Sequence, residues 1–192
     1  MKIEDSGMPE ESYWNSLFNI EGVVDWLGIS EKAQVVEIGS GYGTFTVPIA
    51  RTSQERTVVA FDIDPVMVEI TRRNLANAGL SNVDCIVRDV LAEGTGLEAE
   101  SVDVVLLFNI LHFNEKRVLL REASRILKAG GVVAIIHWRT DIPTPRGPAV
   151  TLRPDISQIL NAAKGLHLDF LGNCKVLEPY HWGIQLVKQE YM

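Results

Sequence analysis

Three glycines at alternate positions, Gly39, Gly41 and Gly43, separate the apolar run Gln34–Ile38 from a stretch that holds Pro48. Proline is tolerated in the first turn of a helix and not deeper, so the stretch reads as a helix starting just after Gly43. A glycine in such a strand-to-helix turn allows a tight reversal, a second lets backbone approach a ligand closely, and the helix N-terminus offers free N–H groups. The spacing narrows the possibilities. The dinucleotide fingerprint GxGxxG needs glycine at position 44, where this chain has Thr44; here the pattern is GxGxG, led by Glu37.

The same rhythm continues downstream. Short apolar, β-branched runs recur at Thr57–Phe61, Val83–Val87, Val102–Phe108 and Gly131–His137, as expected of strands buried on both faces. Helical stretches lie between them. One opens with Asp64 as N-cap and Pro65 at its first position, and Gly79 ends it. Another takes Asn114 as cap, carries Val118, Leu119, Glu122, Ile126 and Leu127 at helical spacing, and stops at Gly130-Gly131. Alternating strands and helices imply right-handed βαβ units and a parallel sheet. Arg139–Arg153 contains three prolines and Gly147, the composition of a lid or an unstructured loop. Pro154 then opens a short helix to about Lys164. Strands at His167–Leu177 and Trp182–Gln189 follow, joined by a link too short for anything but antiparallel pairing. The expected fold class is α/β: a Rossmann-like seven-stranded sheet, mostly parallel with one antiparallel C-terminal strand, and helices on both faces.

Composition limits the function classes. At 192 residues the chain suits one domain, and a net charge of −7 disfavours a long nucleic-acid interface, favouring a small-molecule substrate. No apolar run reaches membrane-spanning length, and the acidic start MKIEDSGMPEESYW has no signal-peptide core, so a cytoplasmic protein is expected. Cys85 and Cys174 form no CxxC and neighbour no metal-ligand cluster; they read as reduced thiols, and no metal is expected.

The stretch VVEIGSGYGTFTVPIA resembles the first motif of class I S-adenosylmethionine-dependent methyltransferases. VVAFDIDPVMVEITRRN, VDCIVRDV and SVDVVLLFNILHF are similar to the next three, and LREASRILKAGGVVAI to the helix and strand that close that core. The resemblance runs in order over residues 34–137. It implies S-adenosylmethionine as cofactor and S-adenosylhomocysteine as product. Gly39, Ser40 and Gly41 would lie against the methionyl part, with Glu37 supporting its amino group. Asp62 would accept from both ribose hydroxyls, as a carboxylate's two oxygens allow. Asp89 would accept from the adenine amino group beside the Val90 backbone, Ile63 would pack on adenine or ribose, and Asn109 would meet the amino-acid end. Asp64 is read as a cap, and Asp103 as solvent-facing or capping a turn.

Ligands of open α/β sheets lie beyond the carboxyl ends of the strands. That rule places His112, His137 and His181 on the cofactor side and His167 on the opposite edge. His112, His137 and His181 are therefore candidates for a catalytic base. Together with Arg139 and Tyr180 they form a tentative acceptor site, accompanied by Trp138 and Trp182; His137 and Trp138 could equally pack beneath the cofactor. The tail segments IIHWRTDIPTPRGPAVTLRP and LEPYHWGIQLVK resemble a subgroup of uncharacterised methyltransferases, which would join Arg146 and Gly147 to that site. The chain divides into an N-terminal helical cap at 1–30, a cofactor-binding core at 31–138, and a lid loop, helix and C-terminal hairpin at 139–192, in one domain, as a monomer or homodimer. Methyl transfer to a small molecule is the leading expectation. A non-catalytic S-adenosylmethionine-binding regulatory or partner subunit is the alternative.

Overall fold

The computed structural model describes residues 8–190, and residues 1–7 of the expected cap lie outside the described residues. Two short helices, α1 (Glu11–Asn15) and α2 (Ile20–Leu27), come first; Asn19 caps α2 by accepting the Gly22 N–H. Then β1 (Gln34–Ile38) leads through the glycine turn into α3 (Thr46–Arg51), where Pro48 occupies the first turn. β2 (Thr57–Asp62), α4 (Pro65–Asn77), β3 (Val83–Val87), α5 (Val90–Glu93) and β4 (Val102–Phe108) follow. Asp64 caps α4 through the Val66 N–H at 2.9 Å, as expected. The chain ends with α6 (Lys116–Ile126), β5 (Leu127–Trp138), α7 (Ile156–Ala163), β6 (Leu168–Leu177) and β7 (His181–Lys188).

The seven strands form one sheet in the order β3-β2-β1-β4-β5-β7-β6. All neighbouring pairs from β3 to β5 are parallel, while β7 runs antiparallel to both β5 and β6. This is the mostly parallel sheet with one antiparallel strand that the sequence implies. Side chains alternate between faces with a period of two. Val36, Val105, Leu107, Val133 and Ile135 pack with α6 and α7. Val35, Leu106, Phe108, Ala134 and Ile136 pack with α2 and α3 on the other face. Both faces of the central strands β4 and β5 are largely buried, so these strands are apolar at most positions, while the edge strands β3 and β6 are largely exposed.

Several local expectations change. β5 begins at Leu127, directly after α6, rather than at Gly131. Leu127 adopts an extended conformation that ends the helix, and Gly130-Gly131 falls inside the strand where its register with β4 jumps. Glu115 rather than Asn114 precedes α6, with no side-chain cap bond. α7 starts at Ile156, because Asp155 and Gln158 form a reciprocal capping box beyond Pro154. His181 belongs to β7 and not to the preceding turn: it pairs with Trp138 on one side and Leu177 on the other. Asp103 is not simply solvent-facing. It accepts the Gln34 N–H at 2.8 Å and pairs with Lys128 at 2.8 Å, tying β1 to β4 and β5.

Candidate cofactor and acceptor site

Strand order reverses direction at β1, which has β2 on one side and β4 on the other. That switch point leaves a crevice beyond the carboxyl ends of the strands. A cavity of about 750 Å3 opens there. Its lining includes each residue that the resemblance assigned to the cofactor: Glu37, Gly39, Ser40, Gly41, Asp62, Ile63, Asp89, Val90 and Asn109.

The glycine turn is held from β2. The Gly39 and Ser40 N–H groups both donate to the Phe61 carbonyl, at 2.7 and 3.0 Å, and the Gly41 N–H donates to Asp62 Oδ2 at 2.8 Å. Gly39 has φ +84°, and a Cβ there would stand 2.8 Å from the Ile110 side chain. Only glycine meets both demands. Asp62 is doubly anchored, since its Oδ1 accepts the Asp64 N–H at 2.9 Å. Burial pushes its carboxyl above the ordinary value despite these bonds. The Ile63 N–H also bonds this carboxylate, whose two oxygens offer about four acceptor sites in all. Asp89 caps α5 through the Ala92 N–H at 3.1 Å.

Glu37 is 1% exposed, and the Thr46 hydroxyl donates to its Oε2. Burial pushes its carboxyl up to about 8, so it is mostly protonated at neutral pH. Ser40 Oγ and Asn109 Oδ1 are buried with no hydrogen-bond partner among the described residues. Asn109 also sits at φ +57°, a left-handed conformation that costs energy for a residue with a side chain and recurs at functional sites. Its N–H donates to the Ile136 carbonyl at 2.8 Å, which fixes the turn to β5.

The five residues that the sequence offered for an acceptor site separate. His112 lines the cavity, half-buried, and its Nδ1 lies 3.1 Å from the Asn109 carbonyl. A carbonyl can only accept, so the proton is on Nδ1 and Nε2 is the basic atom. Burial holds His112 below the ordinary imidazole value. His137 is wholly buried behind it, ring centres 6.1 Å apart, with its Nδ1 accepting the Trp138 N–H at 3.0 Å. His181 stacks on Phe18 at 4.4 Å and meets Trp138 at a 44° tilt, ring centres 4.2 Å apart. Arg139 pairs with Asp141 at 2.7 Å and Glu178 at 3.6 Å. Tyr180 packs near Trp138, ring centres 6.4 Å apart. Of the five, His112 alone contributes to the cavity wall.

Two remote segments also contribute to the cavity lining. Trp14 of α1 meets Trp138 edge-on at 6.2 Å, and the Asn15 side chain accepts the Thr44 hydroxyl at 2.7 Å. From 139–153 come Pro145, Arg146, Gly147 and Pro148. Gly147 has φ +107°, and a Cβ there would lie 2.9 Å from the Trp138 indole, so loop backbone rests directly on that ring. Arg153, which the sequence did not single out, latches this loop. Its buried guanidinium donates to the carbonyls of Pro148 at 2.9 Å, Arg139 at 2.8 Å and Arg146 at 3.2 Å. An arginine beside prolines carries no local signal of such a role.

The family model described as "Methyltransferase domain" matches residues 35–131. This chain belongs to the methyltransferase-domain family. Its fold is that of the class I S-adenosylmethionine-dependent methyltransferases. An uncharacterised methyltransferase-like protein of Schizosaccharomyces pombe is 32% identical over 62% of the chain and 44% of its own length. A second uncharacterised methyltransferase of that yeast is 29% identical over 87% of the chain and 62% of its own length. The chain thus spans less than two thirds of either relative. The crystal structure of a SAM-dependent methyltransferase from Aquifex aeolicus superposes with a TM-score of 0.81 at 21% identity, covering 93% of this chain and 94% of that one. That likeness extends the shared methyltransferase fold beyond the matched core to the C-terminal hairpin. Among the described residues no three His, Cys, Asp or Glu side chains group as a metal site, and no helix is long and apolar enough to cross a membrane.

Proposed function

We propose that this chain binds S-adenosylmethionine in the cavity and transfers its methyl group to a small-molecule acceptor, releasing S-adenosylhomocysteine. The observation that carries the reading is the pair of buried polar atoms without partners, Ser40 Oγ and Asn109 Oδ1, on the wall of a cavity large enough for a ligand. Leaving such groups unbonded costs about 1–3 kcal/mol each, a cost that a polar ligand removes. The cofactor's amino-acid end supplies the donors and acceptors they lack. Asp62 receives the ribose hydroxyls, Asp89 the adenine amino group, and Ile63 and Val90 flank the ring. Glu37 stands at the root of the glycine turn, where its carboxyl meets the methionyl amino group.

The sulfonium supplies an activated methyl group, so the protein's task is placement. Orienting two reactants can lower a barrier by about 7–11 kcal/mol. Trp14 and the loop 139–153 complete the wall and limit the entry of water. Residues 8–30 and 139–190 act on this reading as cap and lid of one domain built on the core. The net charge of −7 favours a small acceptor over a nucleic acid.

Calorimetric titration with S-adenosylmethionine tests the proposal, and a folded protein that does not bind would refute it. Asp62→Ala removes a carboxylate bonded to the ribose, and hydrogen bonds to charged groups contribute about 1.5–3 kcal/mol each. The expected result is an affinity at least tenfold weaker, and equal affinity removes Asp62 from the site.

A further inference from the structure

Charge is sorted along the strand ends that line the cavity. Its carboxyl groups, among the described residues, are Glu37, Asp62, Asp64 and Asp89, all at or just past the ends of β1, β2 and β3. The sheet continues from β1 through β4 to β5. On the reading above, Asn109 after β4 meets the amino-acid end of the cofactor, so β5 ends one strand further on. There Trp138 carries residues 145–148 of the following loop, and the loop brings a cation: Arg146 is solvent-exposed and lines the cavity. Its backbone is anchored. The Arg146 carbonyl accepts the Thr144 hydroxyl at 2.8 Å and Arg153 Nη2 at 3.2 Å, and the adjacent Gly147 rests on the Trp138 indole.

Arg153 adds to the charge on this side. Its guanidinium is 8% exposed, donates to three carbonyls and forms no ion pair among the described residues. A buried cation bonded only to neutral carbonyls keeps its field, and low-dielectric surroundings carry that field further than water would. It stands 5.8 Å from the centre of the Trp138 ring. The other arginines are placed differently. Arg139 is pinned by Asp141 and Glu178 and does not line the cavity. Arg88 lines it just past β3, where its Nε donates to the Gly94 carbonyl at 2.6 Å.

Resting on the methyl-transfer reading above, we propose that the acceptor carries a carboxylate, which Arg146 binds as a handle while another heteroatom of the molecule takes the methyl group. A guanidinium matches a carboxylate with two parallel N–H···O bonds. A monoanion is favoured over a phosphate dianion, because the carboxylates of the same cavity repel the second charge. Ion pairing draws electron density from the bound carboxylate, so a different O, N or S atom attacks. That atom forms its bond to the methyl carbon, the carbon–sulfur bond breaks with its electron pair passing to sulfur, and the proton of the attacking group passes to water. The product keeps its free carboxylate.

The test offers labelled S-adenosylmethionine to the purified chain with small hydroxy, amino and thiol compounds in three matched sets: carboxylic acids, their primary amides, and phosphate monoesters of similar size. Label is expected in the acid set, in products that survive mild alkali, which would cleave a methyl ester. Arg146→Gln should bind the cofactor as the parent does, raise KM for the acid at least about tenfold with a smaller change in kcat, and lose the preference for acid over amide. Arg146→Lys should recover part of that preference, and Arg139→Gln should keep it. Amides turned over as well as acids, label confined to phosphates, alkali-labile products, or an acid preference that survives Arg146→Gln each overturn the proposal. Weaker cofactor binding in Arg146→Gln overturns it as well, by assigning Arg146 to the cofactor's own carboxylate, and so does silence from all three sets while the cofactor binds. A chain that fails to bind S-adenosylmethionine sinks the methyl-transfer reading itself, and this inference with it.

Discussion

Two buried side chains, Glu37 and His181, should respond to pH in opposite directions. Glu37 is pushed up to about 8 from an ordinary 4.5 by burial, partly opposed by the Thr46 hydroxyl. The folded chain therefore holds a proton there that the unfolded chain has released. The stability tied to it is intact below about pH 4.5 and is lost as the pH rises toward 8, by at most about 1.4 kcal/mol per pH unit. Glu37→Gln keeps a neutral hydrogen-bonding group and has no such slope. Denaturant unfolding from pH 5 to 8 should show the variant gaining on the parent as pH rises; parallel curves contradict the assignment. His181 behaves the other way. Burial, then the nearby Arg153, lowers it from 6.5 to about 3. Its contribution is present above pH 6.5 and lost as the pH falls toward 3. His181→Phe fills the space between Phe18 and Trp138 without a titrating group, so its stability relative to the parent should improve on acidification, and a constant difference counts against the assignment.

At the scale of elements, the loop after β5 is the segment whose order depends on one residue. Arg153 donates to three carbonyls of that loop. Its guanidinium carbon also lies 5.8 Å from the centre of the Trp138 ring. Arg153→Met retains bulk and removes every donor, leaving the Arg139 and Pro148 carbonyls to find water while the Arg146 carbonyl keeps only the Thr144 hydroxyl. Loosened loops are cleaved in proportion to the population of their open form. Trypsin should cut after Arg139 or Arg146 at least about tenfold faster in the variant, a factor that corresponds to about 1.4 kcal/mol. An unchanged digestion pattern would show that the loop holds itself. The N-terminal helix has a different anchorage, through Asn15 to Thr44 and Glu11 to Asn74 at 2.7 Å each, so it should remain docked when the loop loosens.

For the whole molecule, cofactor binding and folding are linked. A ligand at about 100 times its Kd adds about 2.7 kcal/mol to the stability of the state that binds it. A domain of this size gains about 2–4 °C in Tm per kcal/mol. Saturating S-adenosylmethionine should therefore raise the melting temperature by roughly 5–10 °C. S-adenosylhomocysteine should act in the same direction, since on the proposed reading its ribose and adenine meet the same residues as those of S-adenosylmethionine. An unmoved transition at saturating cofactor would contradict binding to the folded chain.

What the sequence determined alone is the frame and one side of its cavity. Strand and helix periodicity, the Gly39–Gly43 turn, and carboxylates at the ends of β1, β2 and just past β3 are all short-range signals, and a residue at a strand end keeps its place whatever else the chain does. Every residue that the family resemblance assigned to the cofactor lines the cavity. The opposite wall depends on segments far apart in the chain. His112, His137 and His181 look equivalent when judged by distance from a strand end, yet depth is set by what packs over each. β7 inserts between β5 and β6, which carries His181 into the interior, and Phe18 and Trp138 close on it. His137 is buried within the sheet, whereas His112 follows β4 into the crevice at the switch point. Burial is a property of the assembled neighbours, and only the tertiary structure brings Trp14, Trp138 and the Arg153-latched loop together.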